Sequence, residues 1–198
     1  MIELPLTPAP SGATPALVDY GGVQRGALGA GLRVDRLGSH YRAALTFPPL
    51  KSEVNGRIFV SRLIRAKRRG LRIPYPLLGV DQGQPGSPVV DGAGQAGLSL
   101  KVRGLAPGYA CREGYWLSIR RAADGRHYLY NSASDVVAGS DGKATFQVEP
   151  MLRWPHADGD QIHLIKPMIE GLVDGDEQAW TASLGNLIGI EVAIEEAG

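Results

Sequence analysis

Glycine and proline interrupt this sequence so often that they limit what it can fold into more than any other feature. Its 198 residues include 27 glycines and 14 prolines, and both residue types end helices and strands. Between these interruptions apolar and polar residues alternate over short stretches, which is the period-two pattern of half-buried strands. The sequence therefore predicts a mainly β fold, a sandwich or barrel rather than a helical bundle.

The alternating stretches are short, and turn sequences such as PGY, ADGR, GSDGK and HADGD separate them. The clearest strands are Tyr41–Phe47, which ends at Pro48-Pro49, and Ile188–Ile194, where isoleucine and valine alternate with small or acidic residues. Six shorter stretches are also predicted as strands: Leu98–Val102, Tyr115–Arg120, His127–Tyr130, Ser134–Val137, Ala144–Val148 and Gln161–Ile165. Many short strands at close spacing are typical of a small barrel or sandwich.

The order of these elements predicts two domains, one inserted in the other. Residues 1–78 and 166–198 should form a β-sandwich or barrel domain that carries one amphipathic helix. Residues 79–165, beginning with a predicted loop as far as Gly97, should form a small OB-like β-barrel domain. The first forty residues are rich in proline and glycine, including a run from Gly26 to Gly31. We expect this segment to be an extended arm that gains order only against another surface.

One helix is predicted, from about Glu53 to Arg69, with Ser52 as its N-cap and Gly70 just beyond its end. At 100° per residue one side of this helix is apolar, and it comprises Phe59, Val60, Leu63 and Ala66. The opposite side, called the arginine surface below, comprises Arg57, Arg62, Arg65, Arg68 and Arg69. The pattern predicts an amphipathic helix that lies on a sheet and presents a basic outer face.

The stretch GAGQAG at residues 92–97 matches the glycine pattern of a dinucleotide-binding loop. Such a loop needs a helix directly after it, because the helix N-terminus holds the pyrophosphate. Here Leu98–Val102 alternates as a strand, and no acidic residue follows at the spacing that ribose recognition needs. The stretch is therefore predicted to be a strand-to-strand turn, and no cofactor is expected.

The formal net charge of +1 provides no overall attraction to nucleic acid or to a membrane. With the single cysteine, Cys111, the chain cannot form an internal disulfide, and a half-buried structural thiol is expected there. The first residues lack the basic and apolar segments of a signal peptide, and no stretch is long enough to span a membrane. We expect a soluble protein without a membrane partner, folded in a cytoplasm or delivered within an assembly.

Two clusters of polar residues could carry chemistry. The stretch HADGDQIH contains the possible metal ligands His156, Asp158, Asp160 and His163. The stretch EGLVDGDEQ contains the carboxylates Glu170, Asp174, Asp176 and Glu177. An ordinary turn explains the first cluster, and a solvated loop or a partner surface explains the second. We therefore expect no catalytic, metal-binding or cofactor-binding residue, and no enzyme.

Several stretches together resemble a group of small tail-tip proteins of long-tailed bacteriophages and related prophages. The resemblance covers most of the chain from Asp35 onward and runs through DRLGSHYRAALTFPPL, RIFVSRLIRAKRRGLRIPYP, GSPVVDGAGQAGLSLKVRGLAPGYACREGYWLSI, FQVEPMLRWP and PMIEGLVDGDEQAW. The architecture looks like that of distal tail proteins, which pair a ring-forming β-rich domain with a second, smaller β-domain. No motif within these stretches is catalytic.

The resemblance implies a structural virion protein at the tail tip, assembled in the host cytoplasm. It would form a ring, usually sixfold, that joins the tail tube protein to the hub and to other tip or host-binding proteins. The expected subunit or partner contacts lie on the arginine surface and at Asp174, Asp176 and Glu177. Two alternatives remain: a single-strand nucleic-acid or carbohydrate-binding module on the inserted barrel, and a metal-dependent enzyme centred on His156 and His163.

Overall fold

The computed structural model describes residues 1–25, 29 and 31–196. The protein is mainly β, and the only α-helix in these residues is α1 (Arg57–Arg69). Strands β1 to β18 are, in chain order, Ile2–Glu3, Gly12–Val18, Gly22–Arg25, Gly31–Val34, His40–Thr46, Leu50–Lys51, Leu71–Pro74, Gly86–Val90, Gln95–Leu105, Ala110–Cys111, Trp116–Arg120, His127–Ser132, Val136–Val137, Ala144–His156, Gln161–His163, Met168–Val173, Trp180–Ser183 and Leu187–Glu196. The predicted mainly β fold with one helix is confirmed.

The chain divides into two compact units. The sheet unit comprises residues 1–16, 41–78 and 168–196 of the described chain, and the barrel unit comprises residues 17–40 and 79–167. Each unit has an apolar core of its own, as described below. The domain boundaries after residues 78 and 165 stay predictions.

The sheet unit contains an eight-stranded sheet. Six strands follow the order β1-β7-β16-β18-β5-β2, and β17 and β6 also pair with β18. Strand β1 runs parallel to β7, whereas β18 is antiparallel to β16, β5, β17 and β6. On β18 the side chains of Ile188, Ile190, Val192 and Ile194 are buried. The predicted alternation of this strand is therefore confirmed, and it lies in the interior of the sheet.

Helix α1 covers this sheet with the predicted apolar side. Phe59, Leu63 and Ala66 are completely buried, and the Phe59 ring meets the Phe47 ring edge-on at 5.1 Å between centroids. The helix ends as predicted, because Gly70 adopts a φ of 73° that favours glycine. Burial of two large side chains on one short helix stabilises the unit by several kcal/mol.

The predicted start of the helix with Ser52 as N-cap is wrong. A π-helical turn, Ser52–Gly56, precedes α1, its flanking residue is Lys51, and no side chain caps it. Gly56 explains the irregular start, since a Cβ there would lie 2.8 Å from Cδ1 of Ile188. The widened turn brings the bare glycine backbone against the sheet before the regular helix begins.

The first strands of the N-terminal segment, for which the composition predicts an extended arm, pair with strands of the sheet unit in the same copy. Ile2 and Leu4 are buried in the sheet unit, β1 pairs with β7, and β2 pairs with β5. Both strands occupy ends of the sheet order, where Pro15 of β2 is tolerated because an edge strand needs fewer backbone donors. Strands β3 and β4 form a separate antiparallel pair. Residues 26–28 and 30 of the glycine run lie outside the described residues.

The barrel unit contains a closed barrel of six strands in the order β11-β12-β14-β9-β8-β15, with β15 pairing back to β11. Every pair in the barrel is antiparallel, and the barrel has one strand more than the five of an OB-fold. Its interior is apolar, with Leu100, Val102, Leu117 and Phe146 among the completely buried side chains. The prediction of a small barrel is confirmed.

The prediction of loop over residues 79–97 missed strand β8. Pro85 and Pro88 weaken the strand pattern there, but Pro88 lies at an irregularity in the pairing with β9, between Gly86–Leu105 and Val89–Arg103. A bulge leaves one residue of the strand unpaired, so no backbone N–H donor is needed at Pro88. The strand therefore continues through the proline.

Candidate assembly surfaces

The GAGQAG stretch forms the turn between β8 and β9 and the first residues of β9, as predicted. Gly92 and Gly94 have φ values of 95° and 72°, and β9 begins directly afterwards at Gln95. The Gln95 side chain holds the turn, since its Nε2 donates to the Asp91 carbonyl at 2.7 Å and its Oε1 accepts from the Lys101 amide at 2.6 Å. The glycines therefore provide the positive-φ backbone conformations that this tight hairpin turn needs.

The two aspartates of HADGDQIH stabilise turns. The Asp158 carboxylate accepts a hydrogen bond from the Gly92 amide at 2.8 Å and pairs with Arg103, and both contacts lower its pKa. Asp160 is buried and accepts from the amides of Ala122 and Ala157 at 2.8 and 3.0 Å. Among the described residues no group of three or more histidine, cysteine or acidic side chains is arranged to hold a metal ion.

The two histidines of this stretch have different neighbours. His156 is buried, with Nδ1 3.5 Å from the Asp160 carboxylate and Nε2 3.2 Å from the Tyr130 hydroxyl. Burial lowers the pKa of His156 to about 4, so the imidazole is neutral at pH 7. His163 instead lies against His127, with 5.2 Å between ring centroids, and burial also lowers its pKa. Both rings fill space within the barrel unit.

Cys111 is 1% exposed, more buried than predicted, and burial raises the pKa of its thiol. A thiol that stays protonated is a poor nucleophile. The residue therefore acts as a small apolar side chain in the barrel core.

The arginine surface divides into two groups. Arg57 donates to the Glu53 carbonyl at 2.8 Å, and Arg62 donates to the Glu3 carbonyl at 2.7 Å. Arg65, Arg68 and Arg69 are exposed and make no hydrogen bond or ion pair with any described residue. Three neighbouring guanidinium groups on the last two turns of α1 are thus available to another molecule.

An exposed apolar side chain, missed in the sequence analysis, lies on the same face of α1. Ile64 is 53% exposed, although its neighbour in sequence, Leu63, is completely buried. The helical spacing offers a signal for it, because positions 57, 61, 64 and 68 are four, three and four residues apart and share one face. The outer face of α1 therefore carries one exposed apolar side chain at its edge, on the same strip as Arg57 and Arg68.

The acidic stretch is divided between a strand and a loop. Glu170 was predicted to lie in a solvated loop or partner surface, but it is a buried residue of β16. Its Oε2 lies 2.5 Å from Nε of Arg72. Asp174 pairs with Arg42 at 3.2 Å. Asp176 and Glu177 are exposed and have no basic partner within the part of the chain that the structure describes. Two of the four predicted carboxylates are therefore available to a partner.

A groove of about 240 Å³ lies beside β17 in the sheet unit. Phe47 and Ile190 lie at its base, and Trp180, which is 44% exposed, lines one side. Glu191 adds an exposed carboxylate, and the Gln178 amide donates to the Glu191 carbonyl at 2.9 Å. This bond ties the loop that carries Asp176 and Glu177 to β18, and the groove itself is lined by apolar and polar side chains together.

The barrel unit has a second concavity, of about 300 Å³, whose charges are largely paired with one another. Arg33 binds the carboxylates of Asp19 and Asp35 at 2.8 and 2.7 Å. On the barrel surface Trp154 is 40% exposed, and the Arg121 guanidinium lies 4.6 Å from its ring centroid. These two features present charged and aromatic side chains on the barrel unit, and the distances among them define no catalytic arrangement.

Comparison with models of known protein families gives no match for this chain, and comparison with curated proteins gives none either. Among the described residues, no helix has the length and apolar character needed to cross a membrane. The function must therefore be argued from the surfaces themselves.

Proposed function

We propose that this protein is a structural subunit of a bacteriophage tail tip and forms a ring, hexameric by resemblance, that joins the tail tube to the hub and host-recognition proteins. The sequence resemblance to distal tail proteins supplies the class. The observation that carries the proposal is the set of unpaired arginines, Arg65, Arg68 and Arg69, on the outer face of α1. A virion is the proposed location, and no catalytic step is part of this role.

The charge distribution supports binding to a protein rather than to nucleic acid. All basic side chains of the sheet unit come from residues 41–78, and most of its acidic side chains come from residues 168–196, in equal total numbers. A nucleic-acid-binding surface needs a basic excess, whereas a unit with equal numbers of basic and acidic side chains, some of them unpaired, can bind another copy of itself. A ring requires such contacts between two different surfaces of each subunit.

Reversal of two unpaired arginines tests this proposal. We expect Arg65→Glu together with Arg69→Glu to leave the circular dichroism spectrum unchanged and to shift the purified protein towards monomers in native mass spectrometry. The same change introduced into the phage should give tailless or tip-defective particles in electron micrographs. Arg112→Glu, which reverses an exposed arginine of the barrel unit, is the matched control and should assemble normally. Normal tails and unaltered oligomers from the double variant would remove the arginines as support for the proposal, and a wild-type protein that stays monomeric and is absent from tails would reject it.

A second candidate function is a single-strand nucleic-acid or carbohydrate-binding module, which the exposed Trp154 beside Arg121 favours. Aromatic side chains stack on bases and sugars, and an adjacent arginine adds charge. In this role Trp154 fluorescence should be quenched by oligonucleotides or glycans, and Trp154→Ala should abolish the binding. No quenching at any ligand concentration that leaves the protein soluble would exclude it.

A further inference from the structure

The outer face of α1 has the pattern of a helix that binds in a groove. Ile64 lies at the edge of this face, about 100° around the helix from the completely buried Leu63, and it is exposed. Arg57 and Arg68 share the Ile64 face by helical spacing. One exposed isoleucine is ordinary on a protein surface, but an apolar anchor between basic residues matches the helix-in-groove mode of recognition.

The groove beside β17 has the complementary composition. Its apolar base consists of Phe47 and Ile190, and the partly exposed Trp180 forms a side wall. Glu191 lines the groove, and Glu177 precedes Gln178, whose side chain donates to the Glu191 carbonyl. Neither carboxylate has a basic partner among the described residues. Tryptophan is one of the residues that most often contribute a large share of the binding free energy at protein interfaces.

The helix of the same copy cannot occupy this groove. Its buried side faces the sheet unit, where Phe59 packs edge-on against Phe47, a residue of the groove base. Ile64 and Arg68 therefore point away from the sheet to which the groove belongs. An occupant with this chemistry has to come from another molecule.

We propose that the groove beside β17 of one copy binds the outer face of α1 of a second copy, with Ile64 in contact with Trp180 and the helix arginines against Glu177 and Glu191. This inference rests on the proposed ring and names its subunit contact. Each copy offers its helix to one neighbour and its groove to the other, which is the head-to-tail arrangement that can close into a ring. Apolar contact supplies the affinity, and the charges select the orientation.

A mixing experiment with cysteine variants tests the contact. One preparation carries Ile64→Cys, the other carries Trp180→Cys, and a short bismaleimide is added to each alone and to the mixture. The native Cys111 is buried and should react little. We expect a crosslinked dimer mainly in the mixture, because the two positions meet only across copies. Leu172→Cys replaces Trp180→Cys in the control, since Leu172 is also exposed in the sheet unit, and should give little product. Equal yields from both mixtures would overturn the inference.

Charge exchange provides a second, independent test. Arg68→Glu and Glu191→Arg should each weaken self-association at least roughly tenfold, as expected for loss of an opposed charge pair and its replacement by like charges. The two changes together in one chain should restore most of the association. Sedimentation velocity over a concentration series measures the self-association of the wild type, the two single variants and the double variant.

The outcomes separate the inference from the proposed function. If the wild-type protein stays monomeric at every concentration and forms no tips in the phage, the ring itself is wrong and the contact falls with it. If the wild-type protein assembles but Arg68→Glu and Glu191→Arg assemble equally well, the ring stands and the groove contact is wrong.

Discussion

The barrel unit and the outer face of α1 use their arginines in opposite ways. In the barrel unit Arg103 pairs with Asp91 and Asp158, and Asp91 also binds Lys143 at 2.9 Å. On α1, Arg65 and Arg69 bind nothing in the described chain. Arg103 thus holds turns of the barrel, whereas Arg65 and Arg69 of the helix are left for another molecule.

This difference teaches that the number of charges on a surface says little about its role. Both regions are rich in arginine, although the formal net charge of the whole chain is only +1. What separates them is whether carboxylates of the same unit lie within reach. Charged groups that are paired internally stabilise a fold only modestly, while unpaired groups of one sign steer association.

The largest effect on folding is expected from Leu63→Asp. Leu63 is completely buried on the sheet-facing side of α1, and an unpaired carboxylate there costs several kcal/mol, comparable to the whole stability of a small domain. We expect insoluble or unfolded protein. Ile64→Asp is the matched control on the next residue, and because Ile64 is exposed, that variant should keep its circular dichroism spectrum. An unchanged melting temperature for Leu63→Asp would mean that the helix presents another face to the sheet.

Deletion of residues 2–18 is expected to have the next largest effect, and it should act on the sheet unit. The deletion removes strands β1 and β2 together with the buried Ile2 and Leu4. Hydrogen exchange should become faster in β7 and β5, each of which loses one of its two neighbouring strands, and stay slow in the barrel strands β11 and β12. Unchanged protection of β7 and β5 would show that the N-terminal segment contributes little to the sheet.

The sequence predicted elements that rest on local patterns and missed those that depend on distant neighbours. The alternation of Ile188–Ile194 and the apolar side of α1 were predictable, because a buried face repeats at a fixed period. The pairing of Ile2–Glu3 with β7 was not, since two residues carry no period. Strand β8 was lost at Pro88 because the bulge that accommodates a proline belongs to the pairing with β9.

The candidate surfaces were predictable to a smaller extent. The exposed positions of Arg65, Arg68 and Arg69 follow from helical spacing, but their lack of partners does not. Glu170 looked like a loop carboxylate because glycine and aspartate follow it, whereas its pairing with Arg72 is made across strands β16 and β7. Sequence spacing cannot identify partners that are nearly a hundred residues apart.

A smaller effect is expected from mild acid, and it should arise in the barrel unit. The unfolded chain protonates His156 near its ordinary pKa of 6.5, whereas the folded protein does so only at about 4. Stability is therefore fully present above pH 6.5 and falls as the pH drops towards 4, by an amount on the order of 3 kcal/mol. Burial lowers the pKa of His163 as well, which adds to the same trend. Urea unfolding between pH 7 and 4 measures the loss, and His156→Gln should flatten it. A profile in the variant as steep as in the wild type would assign the trend to other groups.

The smallest effects come from neutralising single arginines, and they sharpen the comparison between the two regions most directly. Arg103→Gln removes the cation that Asp91 and Asp158 share, and the guanidinium also donates to the Val90 carbonyl at 3.0 Å. We expect a lower melting temperature for this variant, because Asp158 loses the cation with which it pairs and Asp91 keeps only Lys143. Arg69→Gln breaks no contact in the described chain, so its stability should stay within about 0.5 kcal/mol of the wild type.

Self-association should respond in the opposite order. Arg69→Gln removes a charge from the proposed contact and should weaken assembly, whereas Arg103→Gln should leave assembly unchanged under conditions where the variant is folded. Differential scanning calorimetry and sedimentation velocity on the same two preparations provide both readouts. If both variants lose stability alike, the pairing of charges within the barrel unit does not distinguish it from α1. If neither alters assembly, the unpaired arginine is an ordinary solvated side chain rather than part of an interface.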